Sequence, residues 1–169
     1  LSPEDLSLIE SFNLAPDQKE FLKRAVVAAR KVADKSQTNA PVSLAQAILE
    51  SGWGRQAPGN NYHGMKVDGH WKGQSQMLNT FEYVNGQRIQ IEDLFKVYKS
   101  MKESFADHAA LITRAPHYAD ARANWQNWRA YLHGLVNPGE DRYATAPDYE
   151  EVVSNLIEEF QLDQLTHSG

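Results

Sequence analysis

Ser43-Leu44-Ala45-Gln46-Ala47-Ile48-Leu49-Glu50-Ser51-Gly52-Trp53-Gly54 reads as a buried helix that stops on a glycine. Leu44, Ala47, Ile48 and Ser51 fall on one face, and Gln46, Glu50 and Trp53 on another. Glu50 is the only charge in the stretch and sits in the last turn. An ionised carboxylate is favoured at a helix N-terminus and opposed by the dipole at the C-terminus. Screening from water raises its pKa in the same direction. A carboxylic acid kept protonated near neutral pH is what a general acid requires. The local pattern leaves two readings open: such an acid, or a surface residue at a frayed helix end.

Working outward, Ser2-Pro3-Glu4-Asp5 is a helix start inside a mixed acidic and apolar lead-in over residues 1–15. Pro16 suits a first helical position, and Leu22, Ala25, Val26, Ala29 and Val32 share one face of a helix running to about Ser36. Lys23, Arg24, Arg30, Lys31 and Lys35 lie elsewhere around it and read as a solvated face. Residues 37–41 break this helix before the Glu50 helix. After Gly54 the helical pattern stops, and Pro58, Gly59, Asn60 and Asn61 mark a loop closed by Tyr62-His63-Gly64. Asp68-Gly69 predicts a hairpin turn between residues 65–67 and 70–72. Asn85-Gly86 predicts a stronger one between residues 77–84 and 87–97. Residues 64–98 therefore read as a small β lobe.

Helices then return. Ser100 and Glu103 form a capping-box pattern ahead of Phe105, His108, Ala109, Leu111 and Ile112. Short helices are expected over 117–123 and 124–135. A last helix is expected from Pro147 to about Gln161, with Thr145 as its N-cap. The class is α+β, mainly α, with one folded domain over residues 16–165.

With 169 residues the chain suffices for a single cored domain. Its net charge of -5 argues against nucleic acid as the main partner and gives no basic membrane patch. No apolar run reaches the roughly 18–20 residues of a membrane span. There is no cysteine, which excludes disulfides and thiolate chemistry and fits an extracytoplasmic protein, though many cytoplasmic proteins share the trait. Leu1 is not an initiator, so a mature or excised piece is expected. No phosphate-binding glycine loop and no nucleophile elbow occur. The histidines lack metal-ligand spacing, so neither metal nor cofactor is expected, and His108 reads as a core histidine.

What remains is a carboxylate with aromatics around it. Trp53, Tyr62, Trp71 and Tyr83 are residue types that stack on sugar rings, while Asn60 and Asn61 can bond hydroxyls and acetamides. Core packing is the competing reading for the aromatics. Glycoside hydrolysis commonly uses two carboxylates across the scissile bond. Glu82, on the β lobe, is the candidate second carboxylate, and a solvated strand residue is its competing reading.

Several separated motifs together resemble one family. They are residues 45–54, Asn60-Asn61-Tyr62-His63-Gly64-Met65-Lys66, Trp71-Lys72-Gly73, Phe81-Glu82-Tyr83, Phe95-Lys96-Val97-Tyr98 and Tyr143-Ala144-Thr145. Over about residues 17–165 the chain resembles the glucosaminidase domains of bacterial autolysins and of the flagellar rod-cap protein, glycoside hydrolase family 73. The resemblance implies a lysozyme-like fold, an α lobe and a β lobe flanking a groove. It implies a peptidoglycan glycan strand as substrate, cut at the β-1,4 bond between N-acetylglucosamine and N-acetylmuramic acid. It implies Glu50 as the acid, Glu82 as a second acidic residue, Tyr143 as an orienter or stabiliser, and Trp53, Asn61, Tyr62 and Trp71 as groove residues. A monomer acting in the wall or periplasm, secreted or phage-delivered, is expected, with any wall-anchoring module outside this chain.

The chain departs from the family pattern in three places. Ala146 stands where an Asp commonly follows Tyr-Ala-Thr, Glu140-Asp141 precede Tyr143, and His63 stands before the loop glycine, where its imidazole could bond substrate or make activity pH-sensitive. Glu82 could activate water, attack the sugar directly with the carboxyls about 5 Å apart, or assist attack by the substrate's own acetamido group. The alternatives on the same polymer are a muramidase or a lytic transglycosylase. A non-catalytic wall-binding module is a further one.

Overall fold

A computed structural model describes residues 1–138, 143, 144 and 146–167. Residues from helices along the whole described chain, from Ile9 to Leu165, build one core. Helix α1 (Pro3–Ser11) starts on a true capping box, in which Ser2 and Asp5 satisfy each other's backbone N–H groups. Helix α2 (Pro16–Ser36) ends where Gln37 turns left-handed at φ 56°. Its expected apolar positions Leu22, Ala25, Val26, Ala29 and Val32 are all buried.

Arg30 departs from the solvated face expected of it. It is half-buried and donates to the Asp5 carboxylate at 3.0 Å and to the Leu165 carbonyl, fastening α1 and the C-terminal end to α2.

Helix α3 (Ala40–Ser51) takes Pro41 into its first turn rather than being broken by it. Pro41 has no N–H to lose there, and the Asn39 side chain caps Val42 at 3.1 Å. The helix is buried on nearly every side from Val42 to Ile48, as its single charge suggested. It packs against α2 and three later helices. Gly52 closes it at φ +55°.

The β lobe differs from the expectation in one respect. The Asn85-Gly86 hairpin is present, with φ of 52° and 78° at the two turn residues, as a type I′ turn requires. It joins β1 (Ser75–Val84) to β2 (Gln87–Lys96) in register Val84↔Gln87 through Ser75↔Lys96. The Asp68-Gly69 hairpin is not formed. Residues 65–67 pair instead with the end of β2, through Val67 N–H to the Leu94 carbonyl and Lys96 N–H to the Met65 carbonyl. Pairing with a ten-residue ribbon already in place outcompetes a short isolated hairpin.

Helix α4 (Met101–Arg114) is capped by Ser100, but the Glu103 carboxylate takes the Lys99 N–H and so completes only half of the predicted box. A 3-10 turn (Pro116–Tyr118) leads into α5 (Ala119–Ala123). Helix α6 (Trp128–Val136) begins later than expected because the Asn127 side chain caps Ala130. The last expected helix is α7 (Tyr149–Glu159), and a short α8 (Leu162–Leu165) follows beyond its expected end, after Gln161 turns left-handed at φ 49°. Thr145 and the Glu140-Asp141 pair lie outside the described residues. Among the described residues no helix is long and apolar enough to cross a membrane.

Candidate active site

Helix α3 delivers Glu50 to the floor of a groove of about 750 Å³ between the helices and the β ribbon. Glu50 is exposed along the groove, with the walls of the groove close around its carboxyl. The crowding decides its proton affinity: burial, and secondarily the negative charge of Glu82, raise its pKa from 4.5 to about 7. The loop that closes at Gly64 presses onto this carboxyl. Gly64 has φ +66°, and a Cβ there would lie 3.0 Å from Glu50 Oε2. Glycine is thus demanded twice at this position, by backbone conformation and by contact with the acid.

The ribbon supplies the opposite carboxylate. Glu82 on β1 lines the groove and accepts a hydrogen bond from Lys66 Nζ at 2.6 Å. Lys66 also pairs with Asp93 on β2 at 3.3 Å. One cation therefore holds acids from both strands, and its own backbone is bridged to Phe95.

The third candidate comes from far along the chain. Tyr143 lines the same groove, and its hydroxyl meets His108 Nε2 of α4 at 2.6 Å. His108 is buried and stacks on His63, with ring centroids 3.9 Å apart and planes within 9°. His63 Nε2 donates to the Ser43 carbonyl at 2.8 Å. Burial pulls the His63 pKa down to about 4. Burial and the neighbouring His63 hold His108 well below its ordinary range. Burial first, then Tyr149 and Glu50, push the Tyr143 phenol well above its own. All three are neutral near pH 7. His63, expected to bond substrate or to make activity pH-sensitive, lines the groove with its Nε2 committed to the Ser43 carbonyl and its buried Nδ1 unpartnered among the described residues, and burial moves its charge change below neutrality.

Residues 26–162 match the family described as mannosyl-glycoprotein endo-beta-N-acetylglucosaminidase. The chain belongs to the glucosaminidase family. It is 34% identical over 155 residues to the peptidoglycan hydrolase FlgJ of Salmonella typhimurium, covering 88% of this chain and 48% of that protein. It is likewise 34% identical over 152 residues to a probable N-acetylmuramidase of Lactococcus lactis subsp. lactis, covering 84% of this chain and 33% of the other. The chain thus spans half or less of the length of these relatives. The catalytic domain of the autolysin Auto from Listeria monocytogenes superposes with a TM-score of 0.73 at 29% identity, over 98% of both chains. The fold is the lysozyme-like glycoside hydrolase fold of these domains.

Within this glucosaminidase domain, Glu50, Glu82 and Tyr143 line one groove, and the other four candidates do not. Trp53 packs edge-on against Phe160 at 4.8 Å. Tyr62 is buried and stacks on Phe21. Asn61 is buried too, and its amide donates to the Met65 and Lys96 carbonyls while accepting from Met65 N–H, all at 2.9 Å. Trp71 donates its indole N–H to the Gln74 carbonyl and sets its ring against Tyr98. Each ties its own segment to a neighbouring part of the chain.

A cluster that spacing did not reveal joins the two lobes of the domain. Lys96 at the end of β2 is 1% exposed, and its ammonium lies 3.0 Å from Asp68 and 2.9 Å from Asp107 of α4. Tyr98 donates to the same Asp107 carboxylate, and Arg114 reaches Asp68 at 3.2 Å. Motif Phe95-Lys96-Val97-Tyr98 named two of these residues, but nothing local in it marks the lysine as buried.

Proposed function

We propose that this domain is a peptidoglycan hydrolase, an endo-β-N-acetylglucosaminidase that cuts the β-1,4 bond between N-acetylglucosamine and N-acetylmuramic acid. The observation that carries the reading is Glu50: a carboxyl held protonated to about pH 7 in an open groove, within electrostatic reach of Glu82. Glu50 gives its proton to the glycosidic oxygen as the C–O bond breaks. Water, giving up a proton to Glu82, forms the new bond to the anomeric carbon; in the alternative route the acetamido oxygen bonds that carbon first, and the same water then displaces it. Glu82, with Lys66 as its counter-ion, faces the positive charge that develops on the ring. Tyr143 orients the reacting sugar from the α-lobe wall. The catalytic unit is residues 16–165, and the groove alone supplies the reaction's acid. The polymer exists outside the cytoplasmic membrane, so the action is extracytoplasmic.

Fragment mass spectrometry on purified cell walls tests this. Products ending in reducing N-acetylglucosamine from wild type, and none from Glu50→Gln, are the expected result. The second reading is cleavage of the other glycan bond, favoured by the relative named a probable N-acetylmuramidase. Reducing N-acetylmuramic acid ends would establish it in place of the first.

A further inference from the structure

The three neutral rings beside the groove form a connected path. It starts at the Ser43 carbonyl on α3, about two turns before Glu50, passes through His63 and His108, and ends on the Tyr143 hydroxyl. Tyr143 itself belongs to no helix or strand, so its side chain is held by its contacts. Its hydroxyl meets His108, which lies buried in the middle of α4, while its backbone N–H bonds the Leu135 carbonyl and its ring packs beside Tyr118 and Tyr149.

We propose that His108 is a positioning residue for catalysis, accepting the phenolic hydrogen of Tyr143 at Nε2 and thereby turning the tyrosine's oxygen lone pairs into the groove. The direction follows from chemistry and distance. A phenol is a stronger acid than a neutral imidazole N–H. The separation of 2.6 Å lies in the range of O–H donors and below the usual range of N–H donors. His63 stacked flat on the ring holds the imidazole plane, and His63 is itself locked by Ser43. Tyr143 then meets the substrate as a hydrogen-bond acceptor with a defined orientation. His108 touches no substrate and acts through the tyrosine alone.

The inference rests on Tyr143 taking part in hydrolysis, and a double-mutant cycle separates the two ideas. Single and double variants His108→Phe and Tyr143→Phe are assayed on purified cell walls for kcat and KM, with thermal midpoints measured alongside. The expected result is that each single change lowers kcat about tenfold or more with KM little moved, and that His108→Phe has no further effect once Tyr143 is Phe. His108→Gln, which can place an acceptor near the Nε2 position, recovers part of kcat. Nitrogen NMR of the histidine rings in the wild-type protein provides a reading that needs no variant to fold. His108 Nε2 is expected to be unprotonated and to shift when Tyr143 is Phe. A protonated Nε2, or an equal loss from His108→Phe with and without the Tyr143 hydroxyl, overturns the positioning role. Unchanged kcat in Tyr143→Phe overturns the role of Tyr143 itself, while the Glu50→Gln result still decides whether the domain is a hydrolase.

Discussion

Lys66 Nζ stands 2.6 Å from Glu82 Oε1 and 3.3 Å from Asp93 Oδ2, so a loop lysine clamps acids from both strands of the ribbon over the groove. An isolated two-stranded ribbon is only marginally ordered. This clamp, with the Lys66–Phe95 bridge, sets where Glu82 points. Both partners are about one-third exposed, so the pair adds under about 1 kcal/mol to stability. Lys66→Met is expected to lower cell-wall clearing about tenfold while moving the thermal midpoint little. Turbidity and melting curves on one preparation check it, and a large drop in both would assign Lys66 to folding instead.

The acid limits the working pH range. Glu50 is protonated below about 7 and loses its proton above it, so kcat/KM should decline on the alkaline side from there. Glu82 raises the Glu50 pKa through its negative charge. Residual activity in Glu82→Gln should therefore show its alkaline limb at lower pH than wild type. A limb that stays in place or moves up would break the link between the two carboxylates.

The same raised pKa weakens the fold. Folded Glu50 titrates near 7 and its ordinary value is 4.5, so the native state binds more protons than the unfolded chain between these limits. This group's contribution to stability is thus greatest at low pH and falls as pH rises through that window. Glu50→Gln removes the penalty. Water in the groove screens the charge, which keeps the gain to about 1 kcal/mol, or roughly 2–4 °C. Melting at pH 8 should show the variant ahead, and at pH 4 the difference should vanish.

At Gly64, alanine meets both obstacles described above: φ +66° and a Cβ 3.0 Å from the Glu50 carboxyl. Gly64→Ala is expected to lose about 1–2 kcal/mol of stability from the backbone alone. Activity should fall further than this accounts for, because the acid must move. Urea unfolding measures the first effect and product release the second.

Lys96 ties the ribbon to α4. Removing it in Lys96→Met leaves the partly buried Asp68 and Asp107 carboxylates without their shared, fully buried cation. A loss of about 3 kcal/mol is expected, at the lower end for a broken buried pair because Asp68 keeps Arg114 and some solvent. Chemical denaturation tests it, and a neutral result would show that the cluster is dispensable to lobe attachment.

Much of the fold was legible because local rules governed it. Pro16 at a helix start, Gly52 at a helix stop and Asn85-Gly86 at the hairpin all act within a few residues. Where competition came from a distant partner, local reading went astray. Residues 65–67 turned from their neighbours at 70–72 to β2, and Arg30 left the solvated face for Asp5. Trp53, Tyr62 and Trp71 have the residue types of a sugar site, but their rings meet Phe160, Phe21 and Tyr98.

By itself, the sequence determined the helix that carries Glu50, the glycine that ends it, the ribbon that carries Glu82 and the order of the motifs along the chain. Each follows from propensity, periodicity or turn chemistry acting over a few residues. Only the tertiary structure decided the proton affinity of Glu50, the grip of Lys66 on Glu82 and the hydrogen bond from Tyr143 to His108. Burial, ion pairing and hydrogen bonding depend on distances between atoms, and these three bring together residues 16 to 35 positions apart in the chain, or in the case of Glu50 depend on walls built from several such segments.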